Sequence, residues 1–133
     1  SVRANSFSPD AIALESHLDW LRGQLGREDT LYWVAEAGDA LAAQVRYVRQ
    51  EDGAAEVHFS VRGAFQGKGL GTAALNLTAQ EAYRGLGAAR LRGVVITPNP
   101  ASERTFEKAG YSRVREETIK GRRCSVFEKP CSR

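Results

Sequence analysis

The stretch Val61-Arg62-Gly63-Ala64-Phe65-Gln66-Gly67-Lys68-Gly69-Leu70-Gly71-Thr72 decides how the rest of the chain is read. Apolar alternation ends at Val61, glycines follow at 67, 69 and 71, and a helical period begins at once. Glycine lets the backbone take left-handed conformations and come close to a ligand. The first N–H groups of a helix are unpaired and sit at the positive end of its dipole. Strand, loop and helix start together make an anion site suited to a phosphate or pyrophosphate. A tight strand-to-helix turn that binds nothing is the plainer alternative.

Two familiar phosphate fingerprints do not fit. A Walker loop needs GxxxxGK[ST], but Gly67-Lys68 is followed by Gly69, and Arg62 stands five residues before Gly67. A dinucleotide fingerprint needs GxGxxG, and from Gly67 the third glycine arrives one residue early, at Gly71. Counting from Gly69 puts Ala74 in the last place, and an antiparallel meander upstream is the wrong context for that fold.

Upstream of the loop, residues 31–37 form an apolar, aromatic-rich run ending at Gly38-Asp39. Leu41, Ala43, Val45 and Tyr47 then alternate with less apolar residues up to the turn Glu51-Asp52-Gly53. Ala55, Val57, Phe59 and Val61 next oppose Glu56, His58 and Ser60 across a third strand. These three strands read as an antiparallel meander. Earlier still, Leu14, Leu18, Leu21 and Leu25 recur at steps of four, three and four, which predicts an amphipathic helix stopped by Gly26.

Downstream, Leu75, Ala79, Ala82 and Leu86 take helical spacing that ends over residues 85–87. Residues 91–97 are a short β-branched strand, so the intervening helix is a crossover between parallel strands. Asn99-Pro100 opens another helix, with Asn as N-cap and Pro as first helical residue, and Gly110 closes it. Residues 111–118 and 123–128 make a final hairpin around Lys120-Gly121. The fold class is α+β, with a mixed, mostly antiparallel sheet flanked by helices.

The 133 residues suit one domain spanning 1–133. A composition 42% hydrophobic and 26% charged is that of a soluble globular protein. The net charge of +3 is too mild to argue for nucleic acid, though it favours an anionic ligand. The basic run from Lys120 to Arg123 reads as a solvated hairpin tip. Only two cysteines are present, Cys124 and Cys131, without a CxxC pair, and His17 and His58 lie far apart, so neither a disulfide framework nor a metal site is expected. No apolar run approaches the roughly 18 residues of a membrane span and no signal peptide opens the sequence, so the expected location is cytoplasmic, with no membrane partner.

The string Gln66-Gly67-Lys68-Gly69-Leu70-Gly71 resembles the Q/R-x-x-G-x-G/A signature of the GNAT acetyltransferase superfamily. Glu56-Val57-His58-Phe59-Ser60-Val61 looks like that family's fourth strand, which splays from the fifth to admit a pantetheine arm. Thr97-Pro98-Asn99-Pro100-Ala101-Ser102, followed by Phe106-Glu107-Lys108-Ala109-Gly110-Tyr111, is similar to its N-x-x-S…F/Y-x-K-x-G-F/Y stretch. The likeness covers about residues 31–128. It implies a GNAT-like sheet with a splayed β4/β5 cleft and acetyl-coenzyme A as co-substrate. It also implies roles. The backbone of Phe59, Ser60 and Val61 would pair with the pantetheine amides. Gln66, Gly67, Lys68, Gly69, Leu70, Gly71 and Thr72 would cradle the pyrophosphate, with Lys68 adding charge. Asn99 would hydrogen-bond the pantetheine arm, and Ser102 would lie near the thiol. The family's first strand normally precedes its first helix, and nothing strand-like stands before Leu14. The chain is therefore expected to lack that strand or to be the C-terminal part of a longer protein.

Direct transfer of an acetyl group needs a neutral amine, whereas an amine of pKa roughly 8 to 10 is largely protonated at neutral pH. A base must take that proton. Glu56 stands where several GNAT enzymes carry a glutamate base, with an ordinary edge-strand carboxylate as the alternative. His58, two residues on, shares its face of the strand and has a suitable unperturbed pKa. The acid is open: Phe106 occupies the place of the tyrosine many members use, leaving Ser102, Tyr111 or a water.

The acceptor is read from weaker likenesses. Val2-Arg3, Ser6-Phe7, Ile12, His17 and Trp20-Leu21, with Gln44-Val45-Arg46, look like acetyltransferases of bacterial nucleotide-linked amino sugars, those of the pseudaminic-acid pathway above all. That likeness implies that Arg3, His17 and Arg46 serve a diphosphate sugar. Acetylation of a protein N-terminus, as by ribosomal-protein acetyltransferases, is the competing enzyme reading, and a non-catalytic acyl-coenzyme A-binding module is a third. A homodimer is compatible with all three.

Overall fold

The computed structural model describes residues 19–23, 29–37, 40–67, 69–97 and 99–131. Seven strands form one sheet: β1 (Asp19–Gly23), β2 (Thr30–Ala37), β3 (Ala40–Arg49), β4 (Ala54–Val61), β5 (Arg90–Ile96), β6 (Ser112–Ile119) and β7 (Arg122–Pro130). Their order is β1-β2-β3-β4-β5-β7-β6. Among the described residues the helices are α1 (Leu70–Leu86), between β4 and β5, and α2 (Pro100–Lys108), between β5 and β6. Among the described strands only β4 and β5 pair in parallel, as the crossover helix requires.

One expectation is overturned. Residues 19–23 form a strand, not part of a helix, and pair antiparallel with β2 from Asp19↔Glu36 to Gly23↔Tyr32. Leucines at helical spacing are a local signal only, and the free edge of β2 offers this segment a five-residue ladder that outweighs it. The meander therefore has four strands rather than three. Leu14, Leu18, Leu25 and the turn at Gly38-Asp39 lie outside the described residues.

Alternation along the strands sends Leu31 and Trp33 of β2, Val45 and Tyr47 of β3, and Ala55 and Val57 of β4 into the core. The stripe Ala74, Leu75, Ala79, Ala82 and Leu86 of α1 packs on that face. A buried polar tie runs through it: Tyr47 Oη lies 2.7 Å from Thr78 Oγ1, which donates at 2.8 Å to the Ala74 carbonyl. Gly87, at φ +62°, stops α1 in a left-handed cap. Lys120 and Gly121, both at positive φ (51° and 78°), make the two-residue turn of the β6–β7 hairpin.

The feature that positions the site is where β4 and β5 part. Their register runs from Ala54↔Arg90 to Val57↔Gly93 and then stops, although β4 continues to Val61 and β5 to Ile96. The splay expected of this sheet is present.

Candidate active site

Backbone directions along β4 follow from two hydrogen bonds. Ala54 O accepts from Gln50 N at 2.7 Å, and Arg62 N donates to Ala42 O at 2.9 Å, so even-numbered residues turn their amides and carbonyls toward β3. Odd-numbered residues turn theirs the other way. Beyond Val57 there is no β5 partner, so the N–H and C=O of Phe59 face the splay. The Val61 carbonyl faces it too and is taken by Gln66, whose Nε2 donates at 2.9 Å. Of the three residues expected to offer backbone here, Phe59 and Val61 turn theirs toward the splay, whereas the Ser60 amide faces β3.

The glycine loop completes one wall. After β4 a single 3-10 turn spans Gly63–Phe65, and then Gly67 and Gly69 both take left-handed conformations, at φ +76° and +78°. Gly69 is the N-cap of α1 and has no side chain with which to cap it. The N–H groups of Leu70, Gly71 and Thr72 therefore keep no intrahelical partner and point out of the helix start. A Cβ added to Gly67 would meet nothing within 4 Å, whereas one on Gly71 would stand 3.2 Å from both Phe59 and Thr105. Gly67 thus leaves the cleft open, and Gly71 lets α1 close on its neighbours. An uncapped helix start beside open glycine backbone fits a pyrophosphate.

The opposite wall is α2. Asn99 caps it by accepting from Ser102 N at 3.2 Å, so its carbonyl oxygen serves the helix and its amide NH2 is what remains for a ligand. Together these elements enclose a cleft of about 620 Å³, bounded by Phe59, Ser60 and Val61, by Gln66, Gly67 and Gly69 through Thr72, and by Asn99 and Ser102. Arg104 of α2, not singled out from the sequence, and Lys108, quoted there only as the lysine of a motif, line it as well. They stand four apart on a helix and so share a face, which is the signal that could have found them. Lys68 lies outside the described residues.

A second cavity, of about 340 Å³, shares Phe59 and Ser60 with the first and is lined by Tyr32, Gln44, Val45, Arg46 and His58 as well. Cross-strand register puts it there, since Arg46 faces both His58 and Tyr32, and Gln44 faces Ser60. Arg46 has no carboxylate partner among the described residues. Arg3 and His17, the other two residues expected here, lie outside them.

Glu56 and His58 meet: Glu56 Oε2 lies 3.1 Å from His58 Nε2, with the imidazole half exposed and the carboxylate more covered. The hydrogen bond from His58 holds the Glu56 carboxyl below the usual carboxylate range against the opposing effect of burial. His58 lines the second cavity and Glu56 stands behind it.

The candidates for the acid separate in space. Phe106 is buried and packs on Phe59, Tyr111 and Phe127, with centroids 5.0 to 5.7 Å apart. Tyr111 is 4% exposed, its hydroxyl finds no partner among the described residues, and burial pushes its pKa up. It lines neither cavity. Ser102 lines the larger one.

With this geometry in view, comparison with known proteins gives a family. The profile described as "Acetyltransferase (GNAT) domain" matches residues 2–112. The chain belongs to the GNAT acetyltransferase family. Among solved structures, the GNAT domain of S. lividans PAT aligns at 28% identity and a TM-score of 0.67, over 78% of this chain and 62% of that one. Mycobacterium smegmatis RimJ in complex with CoA-disulfide aligns at 17% and 0.67, over 77% and 53%. The ribosomal-protein-S5-alanine acetyltransferase from Vibrio fischeri aligns at 21% and 0.67, over 77% and 62%. The chain thus spans 53 to 62% of the length of these three structures. No curated protein matches it. Among the described residues no helix is long and apolar enough to cross a membrane.

Proposed function

We propose that this GNAT domain moves an acetyl group from acetyl-coenzyme A directly onto a primary amine, and that the amine belongs to a nucleotide-linked amino sugar. One observation carries the reading: two cavities, one walled by an uncapped helix start and one by Arg46 and His58, adjoin at Phe59 and Ser60 where β4 leaves β5.

The co-substrate supplies an acetyl group activated as a thioester. The α1 start and the loop glycines hold its pyrophosphate, and the Phe59 amide and carbonyl align its pantetheine arm like an added strand. Arg104 and Lys108 add positive charge along the same cleft. On the other side His58 accepts the amine's proton, and the Glu56 carboxylate fixes the ring and stabilises the imidazolium that forms. The Ser102 hydroxyl is the donor available to the departing thiolate.

Arg46 favours an anionic acceptor. It is a full charge in a cavity that no carboxylate lines, which attracts a diphosphate and repels a polyamine. Thiol release measured with a UDP-linked 4-amino sugar, N-terminal peptides and a polyamine should show turnover with the sugar nucleotide first. Efficient acetylation of the peptides with the sugar ignored would overturn the acceptor and leave the acetyltransferase. A protein N-terminus is the second reading, favoured by the likeness to the Vibrio fischeri structure.

A further inference from the structure

Behind Glu56, on the same face of the sheet, stands a set of ion pairs that the reaction as described does not use. Arg92 of β5 is the register partner of Glu56 across the last paired stretch of β4 and β5. Its guanidinium donates through Nη2 to Asp52 Oδ2 at 2.6 Å and through Nε to Glu128 Oε2 at 3.0 Å. Arg90 binds the same two acids, at 3.1 Å and 3.4 Å. Arg92 is the better covered of the two arginines, with 12% of its side chain exposed against 31%. Asp52 from the turn before β4 and Glu128 from β7 thus fix one guanidinium opposite Glu56. A long flexible cation clamped at both ends gives a fixed field rather than a fluctuating one, and Arg suits such a clamp through its planar fork.

We propose that Arg92 is a positioning residue for the acetyl transfer: clamped by Asp52 and Glu128 across the strand pair from Glu56, it sets the field in which the Glu56–His58 pair works. The inference rests on the reading of Glu56 and His58 as the proton-accepting pair. The charged and titratable groups around Glu56 among the described residues are few. They are Asp52 and His58 near it in sequence, Arg46 on β3, Arg90 and Arg92 on β5, and Glu128 behind them on β7. Arg92 is the cation directly opposite, and its charge joins the His58 hydrogen bond in keeping Glu56 ionised. Removing a cation from the neighbourhood makes both Glu56 and His58 easier to protonate. The pair then loses its working state on the acid side.

The test follows the His58 ring by NMR titration, beside the pH profile of kcat/KM, in R92Q, R92K and R90Q. R92Q should move the His58 midpoint and the acid limb of the profile to higher pH. At the acid end kcat/KM should fall by about 3- to 10-fold, as a limb displaced by a fraction of a unit to one unit requires, with the alkaline plateau kept. R92K keeps the charge and should restore both midpoint and limb. R90Q, which removes a cation opposite Ala54 instead, should move neither. If R92Q does not fold, R92Q/E128Q replaces the ion pair by two amides and should shift the midpoint in the same direction. An unmoved His58 midpoint in R92Q, or R92K shifting it as far as R92Q does, overturns the proposal. A midpoint that moves while the limb does not shows that Arg92 acts on the pair but the pair is not the base, which refutes the reading beneath.

Discussion

Gly93 of β5 lies under the ring of Phe106, so close that a Cβ at position 93 would overlap the ring's far end. The same glycine is the last residue of β5 to pair with β4. Phe106 has no room to withdraw, since Phe59, Tyr111 and Phe127 press on its other sides. Gly93→Ala should therefore act as overpacking, costing about 1–3 kcal/mol, read as a lower denaturant midpoint with an unchanged slope. Stability equal to the parent's would mean that the ring shifts freely.

The phosphate wall is best tested at Gly67. A side chain there meets open space, at the cost of a left-handed backbone unfavourable by roughly 1–2 kcal/mol for a residue with a Cβ. Gly67→Trp should fold, lose a few degrees of melting temperature, and lose acetyl-coenzyme A binding by calorimetry because the indole occupies the cleft. Gly71→Trp is a poorer probe, because its Cβ already crowds Phe59 and Thr105. Undiminished binding in Gly67→Trp would make the loop a turn only.

Much of this was legible because it is local. The glycine spacing, the Asn99-Pro100 helix start and the Lys120-Gly121 turn each depend on a few adjacent residues, and each lies where the sequence puts it. The four-leucine stripe misled at residues 19–23 because an edge strand is decided by its partner, which no local period records. The site was half legible. That Glu56 and His58 share a face follows from strand alternation. That they touch, and that Arg92 stands opposite under acids 36 and 40 residues away in sequence, depends on register between distant strands. Phe106 was visible as a missing hydroxyl, but not as the reason Gly93 must be glycine.

The contact between Glu56 and His58 predicts how their loss combines. Each single substitution, Glu56→Gln or His58→Gln, should lower turnover by roughly 10² or more with acetyl-coenzyme A affinity nearly unchanged. The double variant should be little worse than the worse single one, because members of one proton-accepting unit fail together. The deficit should shrink at high pH, where the amine is already neutral. Effects that simply multiply would mean two independent groups, and intact turnover in Glu56→Gln would leave His58 working alone.

The acceptor's charge is tested at Arg46. Its guanidinium is held in the smaller cavity by the register with Tyr32 and His58 and neutralised by no carboxylate among the described residues, so an anionic ligand is its natural partner. A lost charge-assisted hydrogen bond costs roughly 1.5–3 kcal/mol. Arg46→Ala should accordingly raise the KM for a sugar-nucleotide acceptor by about 10- to 150-fold. The KM for acetyl-coenzyme A should barely move, because the glycine loop proposed to hold that ligand's phosphates lines the other cavity. Arg46→Lys should recover part of the loss, since a point charge attracts a diphosphate without matching it in two places. A neutral peptide acceptor has no group for Arg46 to bind, and its KM should be insensitive to the substitution. Equal sensitivity for the two acceptors would place Arg46 in the fabric of the cavity rather than on the substrate's charge.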